Sequence, residues 1–397
     1  MPQRITEFLQ TCIDAGDFPS AVYLIAEKGE IIFHDALGYA VVEPERIKAR
    51  LDTIYDLASL TKVLVTGPLV AKLIESGRVK PSDLVCEFFP SASGEELPAL
   101  KVGDLLLHTS GLPAWEPLYL TVKDPAAILD YVLRIPVKPG AIDVLYSDLN
   151  FQLLGFLLEE HYSEGLNLTF QREVVDLLGL KDTSFVPRES NPIERIAASE
   201  NGNRYEEQTC VELGYLKGDP DQPNAEGSSG RNEQERATDK IRLPHTAFRN
   251  GLIWGEVHDG NAHFMGGVAG HAGLFSTAEE VFKIAQQFLP NYTRLLEPGT
   301  CELFRTDFTE GMHEDRSFGF QLASTEGSTA GTMMSPDSFG HNGFTGSCLW
   351  IDPVKERIFV LLTNRTHNHP LPFVNINSVR RRFHDIAIEL LDEKFSN

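Results

Sequence analysis

Strand-forming runs stand at both ends of this chain, and helical patterns fill the space between them. Residues 21–40, AVYLIAEKGEIIFHDALGYA, hold two β-rich runs split by Lys28–Gly29–Glu30, a hairpin signal. The last third alternates short β-rich runs, notably SCLWIDP and RIFVLLTN, before a closing helix expected over 374–393. Between them, segments such as TKVLVTGPLVAKLIESG and FQLLGFLLEEHY repeat at helical spacing. One sheet assembled from both termini, with a helical lobe inserted in it, satisfies this order. Motifs on the end strands then face motifs of the lobe across a cleft, where ligands usually sit.

These patterns divide one 1–397 unit into an α/β lobe (1–58 and 248–397), a mostly helical lobe (59–199) and an insertion (200–247). Residues 3–15 read as a short amphipathic helix. Gly67–Pro68 should kink or thin the hydrogen bonding of the helix that contains it. The insertion is polar and weakly periodic, expected to be partly helical near 204–214 and loop-like near 218–232. It reads as a solvated surface insert more readily than as a flap. Thr277 with Glu280 three residues on forms a capping-box pattern, so a helix should start near Ala278.

The formal net charge of −22 repels phosphate backbones and anionic lipid, which argues against nucleic-acid and membrane-surface roles. No long apolar run follows a basic start, and the longest apolar runs are strand-sized. Cys12, Cys86, Cys210, Cys301 and Cys348 are scattered and odd in number. Reduced thiols and a cytoplasmic address are the simplest reading.

The stretch LASLTKVLVT, residues 57–66, places Ser59 and Lys62 three positions apart at the start of an apolar helical pattern. That step brings both side chains to one helix face. A serine in the first turn has a free backbone N–H, at the end of the helix that favours negative charge. Burial should push the lysine pKa down, and a neutral amine could then take the serine proton. Alone the pattern is weak: average composition gives about one chance match in a chain of this length. A snorkelling lysine behind an N-capping serine explains these ten residues as well.

Other segments change that balance. YSDLNFQLLG supplies Tyr146, Ser147 and Asp148, and FGHNGFTGSCLWIDP supplies His341, Asn342 and Gly343. LLLHTSGLPAW, LLGLKDTSF and GGVAGHAGLFSTAEEV stand between and around them in order. Together these resemble the serine β-lactamase and penicillin-binding-protein superfamily, including its carboxylesterase members, over residues 20–393 apart from 200–247. The likeness is greatest to penicillin-binding-protein-4B-like members, where HxG replaces KTG. It implies an antiparallel sheet flanked by helices, with an inserted helical lobe.

The resemblance implies Ser59 as nucleophile, with Lys62 and Tyr146 as proton-handling partners. The N–H groups of Ser59 and Phe344 would form the oxyanion hole. Asp148 stands where the family usually has asparagine. A carboxylate cannot donate to a substrate carbonyl. Asp148 either pairs with Lys62, holding it protonated and shifting the base role to Tyr146, or caps the helix that follows. His341 replaces a lysine that supplies positive charge, so esters or neutral amides suit the site better than free carboxylates. Gly343 would let a substrate backbone approach closely.

His108, Thr109 and Ser110 are expected to shape the cleft floor. His258, Asp259 and His263 have ligand chemistry but no zinc spacing, so loop-fixing bonds from Asp259 are the better reading. Gly266, Gly267, Gly270 and Gly273 lack the GK[ST] of a phosphate loop. No cofactor is implied, and the expected partner is a small-molecule or peptide-like substrate. Two readings follow: a serine hydrolase acting on a small ester, amide, D-amino-acid peptide or β-lactam, or a ligand-holding protein on the same scaffold.

Overall fold

In the strand Ser20–Glu27 every residue is buried, which needs cover on both faces of its sheet. Val22, Leu24 and Ala26 join a cluster with Leu60, Val63, Phe288 and Val360. Ala21, Tyr23 and Ile25 join another with Ile5, Leu9, Phe383 and Leu391. Alternate side chains of a strand point to opposite faces, so this segment is the middle of three layers. Each such buried aliphatic or aromatic side chain contributes about 1.5–3 kcal/mol. The computed structural model describes residues 3–90, 98–137, 143–216 and 248–395.

The main sheet has seven antiparallel strands. Their order is Ile47–Lys48, Glu30–Val41, Ser20–Glu27, Arg357–Thr363, Cys348–Asp352, Phe339–Asn342 and Gln321–Leu322. The seam between the termini is the pairing of Ser20–Glu27 with Arg357–Thr363, with Val22 opposite Leu362 and Leu24 opposite Val360. The hairpin turns on Lys28 and Gly29, both at positive φ (50° and 84°), the geometry that matches strand twist. The helices Gln3–Ala15 and Asn377–Phe395 cover one face. The inserted helical segments and the helix Ala278–Ala285 cover the other.

Sequence expectations meet two local differences. The Gly67–Pro68 pair alters the helix's hydrogen bonding by widening the turn that precedes it. Lys62–Thr66 forms a π-turn closed by Gly67 N–H on the Lys62 carbonyl, just before the proline that lacks a donor. Thr277 caps the helix at Ala278 by accepting from Glu280 N–H at 3.3 Å. The capping box is only half formed, because the Glu280 carboxylate accepts instead from Lys181 and Asp182 N–H and from the Thr183 hydroxyl. The helix Arg204–Glu212 matches the helical part of the insertion, and the loop-like part at 218–232 lies outside the described residues. Among the described residues, no helix is long and apolar enough to cross a membrane.

Candidate active site

The short strand Tyr55–Asp56 pairs with Leu274–Ser276 and delivers the chain to Ser59 through a strained corner. Ala58 sits at φ 47°, in the left-handed region that non-glycine residues rarely occupy. The Asp56 carboxylate pins that corner, accepting from Ala58 N–H at 2.8 Å and from His258 N–H at 2.7 Å. The turn 343–347 locks it from the other side. Thr345 Oγ1 donates to the Asp56 carbonyl (2.7 Å) and Ser347 Oγ to the Leu57 carbonyl (3.1 Å). Gly343 is therefore required by the protein's own packing, since a Cβ there would collide with Ser347 Oγ and the Leu57 carbonyl. The close approach seen at Gly343 is that of the Leu57 carbonyl, two residues before Ser59.

Beyond the corner the helix begins, and Ser59 precedes it rather than lying in its first full turn. Lys62 Nζ donates to Ser59 Oγ at 3.0 Å and to the His271 carbonyl at 3.0 Å, and lies 2.7 Å from Asp148 Oδ1. Its side chain has 0% exposure. Burial alone would push this amine down, but the nearby Asp148 and Tyr146 outweigh it and hold Lys62 above its ordinary pKa. The expectation of a neutral lysine is thus corrected. The charge partner wins because it sits at contact distance inside a poorly solvated site.

Asp148 resolves in favour of pairing. Ser147 stands at the N-cap position of the helix Asp148–Tyr162 with its hydroxyl donated to the Pro113 carbonyl at 2.6 Å, and Asp148 occupies the first helical position with its carboxylate on Lys62. Tyr146 lies just before that cap. Its ring centroid is 5.1 Å from Lys62 Nζ, 4.5 Å from the His108 ring and 5.7 Å from the His341 ring. Its hydroxyl is shielded and has no well-formed hydrogen bond among the described residues. Burial pushes the phenol above its ordinary pKa, and the Lys62 ammonium opposes that rise.

Both neighbouring imidazoles are neutral. His341 Nδ1 faces the Asn342 carbonyl at 2.9 Å, so that nitrogen carries the proton. His108 Nδ1 accepts from Ser147 N–H at 3.0 Å, so there the proton is on Nε2. Burial first, then the Arg316 and Lys62 charges, hold both far below the usual histidine range. The His108 ring packs against Tyr146, and Ser110 Oγ donates to Asn150 Oδ1 of the following helix at 2.6 Å.

Two groups escaped the sequence reading. Arg316 is 4% exposed, and its guanidinium lies 5.4 Å from the Tyr146 ring centroid while paired with Glu314 at 2.8 Å. His271 supplies the carbonyl that receives Lys62, and its ring meets Asp259 at 3.0 Å. Asp259 also caps the helix Gly260–Phe264, the loop-fixing role expected of it. His258 pairs with Glu200 at 2.9 Å, away from Asp259's partner. Asp148, Asp259 and His271 present ligand atoms within 4.8 Å of one another, and the cation already beside them is the Lys62 ammonium. A histidine between glycines at Gly270–His271 was the one visible signal for that residue.

This arrangement of serine, lysine, tyrosine and a C-terminal strand coincides with a sequence match. The family model described as Beta-lactamase matches residues 5–380. The chain belongs to the beta-lactamase family. Among its relatives is a protein of Escherichia coli (strain K12) named "Putative D-alanyl-D-alanine carboxypeptidase", 30% identical over 396 residues. That match covers 92% of this chain and 82% of the relative. A Salmonella paratyphi A protein of the same name is also 30% identical, over 92% of this chain and 83% of its own.

Solved structures agree on the beta-lactamase fold. EstCE1, titled a hydrolase with promiscuous acyltransferase activity, superposes with TM-score 0.68 at 20% identity, covering 96% of this chain and 97% of its own. A class C beta lactamase from Rhodobacter sphaeroides gives 0.66 at 17% identity, covering 97% and 99%. The resemblance in sequence and the antiparallel sheet with inserted helices are therefore borne out.

Proposed function

We propose that this protein is a serine hydrolase that forms an acyl-enzyme at Ser59. The observation that carries the reading is the 3.0 Å contact between Lys62 Nζ and Ser59 Oγ, made while Lys62 is ion-paired with Asp148. A lysine held charged cannot accept the serine proton. It donates to Oγ and favours the alkoxide that forms there. The base role passes to Tyr146 as phenolate, a minor form that the ammonium 5.1 Å from its ring stabilises.

Ser59 gives its proton to the Tyr146 oxygen as Oγ attacks the acyl carbonyl. Among the described residues neither Ser59 N–H nor Phe344 N–H has a partner, which leaves both free to receive the oxyanion. One such donor is typically worth about 3–4 kcal/mol of barrier. The phenol then returns the proton to the leaving oxygen or nitrogen. Water, deprotonated by the same phenolate, releases the acyl group and restores Ser59.

The neutral His341 favours esters and uncharged amides, and the names of the relatives add D-alanyl peptides as candidates. The test is a panel of nitrophenyl esters, D-Ala-D-Ala peptides and nitrocefin, run beside a fluorophosphonate label on wild type and Ser59→Ala. Turnover and labelling that both vanish in the variant support the reading. A folded wild type that takes no label and turns nothing over favours a ligand-holding protein, for which the tied-up Lys62 is the supporting observation.

A further inference from the structure

The turn 343–347 is gripped from behind by a buried cation. Arg380, on the helix Asn377–Phe395, is 5% exposed. Its Nη2 donates to the Gly343 carbonyl at 2.9 Å and to the Ser347 carbonyl at 3.0 Å, and Nη1 donates to Asn377 Oδ1 at 2.9 Å. Its Nε has no partner. Among the described residues no carboxylate pairs with it, and burial pushes its pKa down. A guanidinium in this position is a costly choice for bracing a turn, since an uncompensated buried charge is destabilising and a neutral donor could hold the same carbonyls.

The bonded carbonyl explains the choice. Gly343 O and Phe344 N–H belong to one trans peptide, so they point in opposite directions from one plane. Fixing the oxygen on the helix side fixes the N–H on the far side. A charge-assisted bond to the oxygen also polarises the amide and makes its N–H a stronger donor. A second arginine acts on the next peptide: half-buried Arg365 donates from Nε to the Phe344 carbonyl at 2.7 Å and lies 4.9 Å from the Phe344 ring centroid. It too lacks a carboxylate partner among the described residues, so two unpaired guanidiniums flank one short turn.

We propose that Arg380 is a positioning residue for the oxyanion hole, orienting the Gly343–Phe344 peptide and strengthening its N–H toward the tetrahedral intermediate. This rests on the reading of Ser59 as nucleophile and Phe344 N–H as oxyanion donor.

The experiment compares wild type, Arg380→Met and Arg380→Lys in nitrophenyl acetate turnover and in inhibition by phenylboronic acid, whose tetrahedral serine adduct places an oxygen where the oxyanion forms. In Arg380→Met, kcat/KM should fall about 10–100-fold through kcat, part of the loss expected for a whole donor. KM should stay within about threefold, and the boronate Ki should rise by the same factor as kcat/KM falls. Arg380→Lys, which keeps the charge, should recover part of both. The proposal is overturned if a folded Arg380→Met keeps kcat/KM and Ki within about threefold of wild type, or loses affinity through KM alone. If the methionine variant does not fold, Arg380→Gln takes its place under the same criteria, with the infrared carbonyl band of the acyl-enzyme as readout. A band moved to higher frequency supports the proposal, and an unmoved band overturns it. Ser59→Ala in the same assays separates the two levels. If it stays active, the underlying reading fails. If it is dead while the Arg380 variants match wild type, only the role of Arg380 fails.

Discussion

Asp148 Oδ1 lies 2.7 Å from Lys62 Nζ at a position with no side-chain exposure on the lysine, so the amine beside Ser59 is held as an ammonium. In the proposed mechanism that pairing sets the direction of proton flow. With Lys62 charged and Tyr146 pushed up by burial, the resting pair holds both its protons. The proposed mechanism requires the form in which the pair has lost one of them.

Activity should therefore climb with alkalinity. Both folded-state pKa values lie above the ordinary lysine and tyrosine values, so through neutral pH the one-proton form grows about tenfold per pH unit. Asp148→Asn removes the anion that holds Lys62 up while burial, which pushes it down, remains. The alkaline limb of kcat/KM on a nitrophenyl ester should move to lower pH by about one unit or more. A limb that stays in place or moves upward contradicts the assignment of Asp148.

The corner before Ser59 gives a stability prediction. Ala58 at φ 47° carries the left-handed penalty of a non-glycine residue, about 1–2 kcal/mol. Glycine removes that penalty but costs about 0.5–1 kcal/mol in chain entropy. Ala58→Gly should leave the denaturant midpoint equal to wild type or slightly higher. Ala58→Val sets a β-branched side chain at the same φ and should lower stability by about 2 kcal/mol or more. Equal midpoints for valine and alanine would mean that the corner is not strained.

The elements that rest on local pattern were readable in the chain itself. Lys28–Gly29 marks the hairpin because the turn needs positive φ, and Thr277 marks a helix start because its hydroxyl meets an N–H three residues on. Ser59 and Lys62 were legible for the same reason: one helical turn joins them. What was not legible lies in contacts between distant segments. The charge of Lys62 depends on Asp148, and the setting of Tyr146 depends on Arg316, an arginine in a loop with no periodic signal. Glu280 shows the limit even of a local motif: its carboxylate fits a capping box, yet three donors at residues 181–183 claim it.

His341 offers a direct spectroscopic check. Its Nδ1 proton is committed to the Asn342 carbonyl, and burial together with Arg316 and Lys62 keeps the ring neutral. His108 carries its proton on Nε2 instead, and the same burial and charges keep it neutral. In a proton NMR titration from about pH 5.5 to 8, neither ring should show a titration shift, whereas an unperturbed histidine passes its midpoint near 6.5 in that window. A midpoint above about 6 for His341 would give the motif a positive charge after all, and would move the substrate preference back toward free carboxylates.

Glu206 supplies a stability test. Its carboxylate is buried, accepting from Tyr119 hydroxyl at 2.8 Å and Gly260 N–H at 2.7 Å, and burial followed by the Asp259 charge holds its pKa well above the usual carboxylate range, at about 7. A carboxyl with a raised folded-state pKa binds more protons folded than unfolded between the two values. Stability therefore falls as pH rises from about 4.5 through 7, the reverse of a salt-bridged carboxylate. Glu206→Gln keeps an acceptor for Gly260 and removes the ionisation. Its melting temperature should exceed that of wild type at pH 8 and lose that advantage at pH 5. An advantage that is the same at both pH values would show that Glu206 is ionised throughout, and that the helix Arg204–Glu212 is anchored by charge instead of by a shared proton.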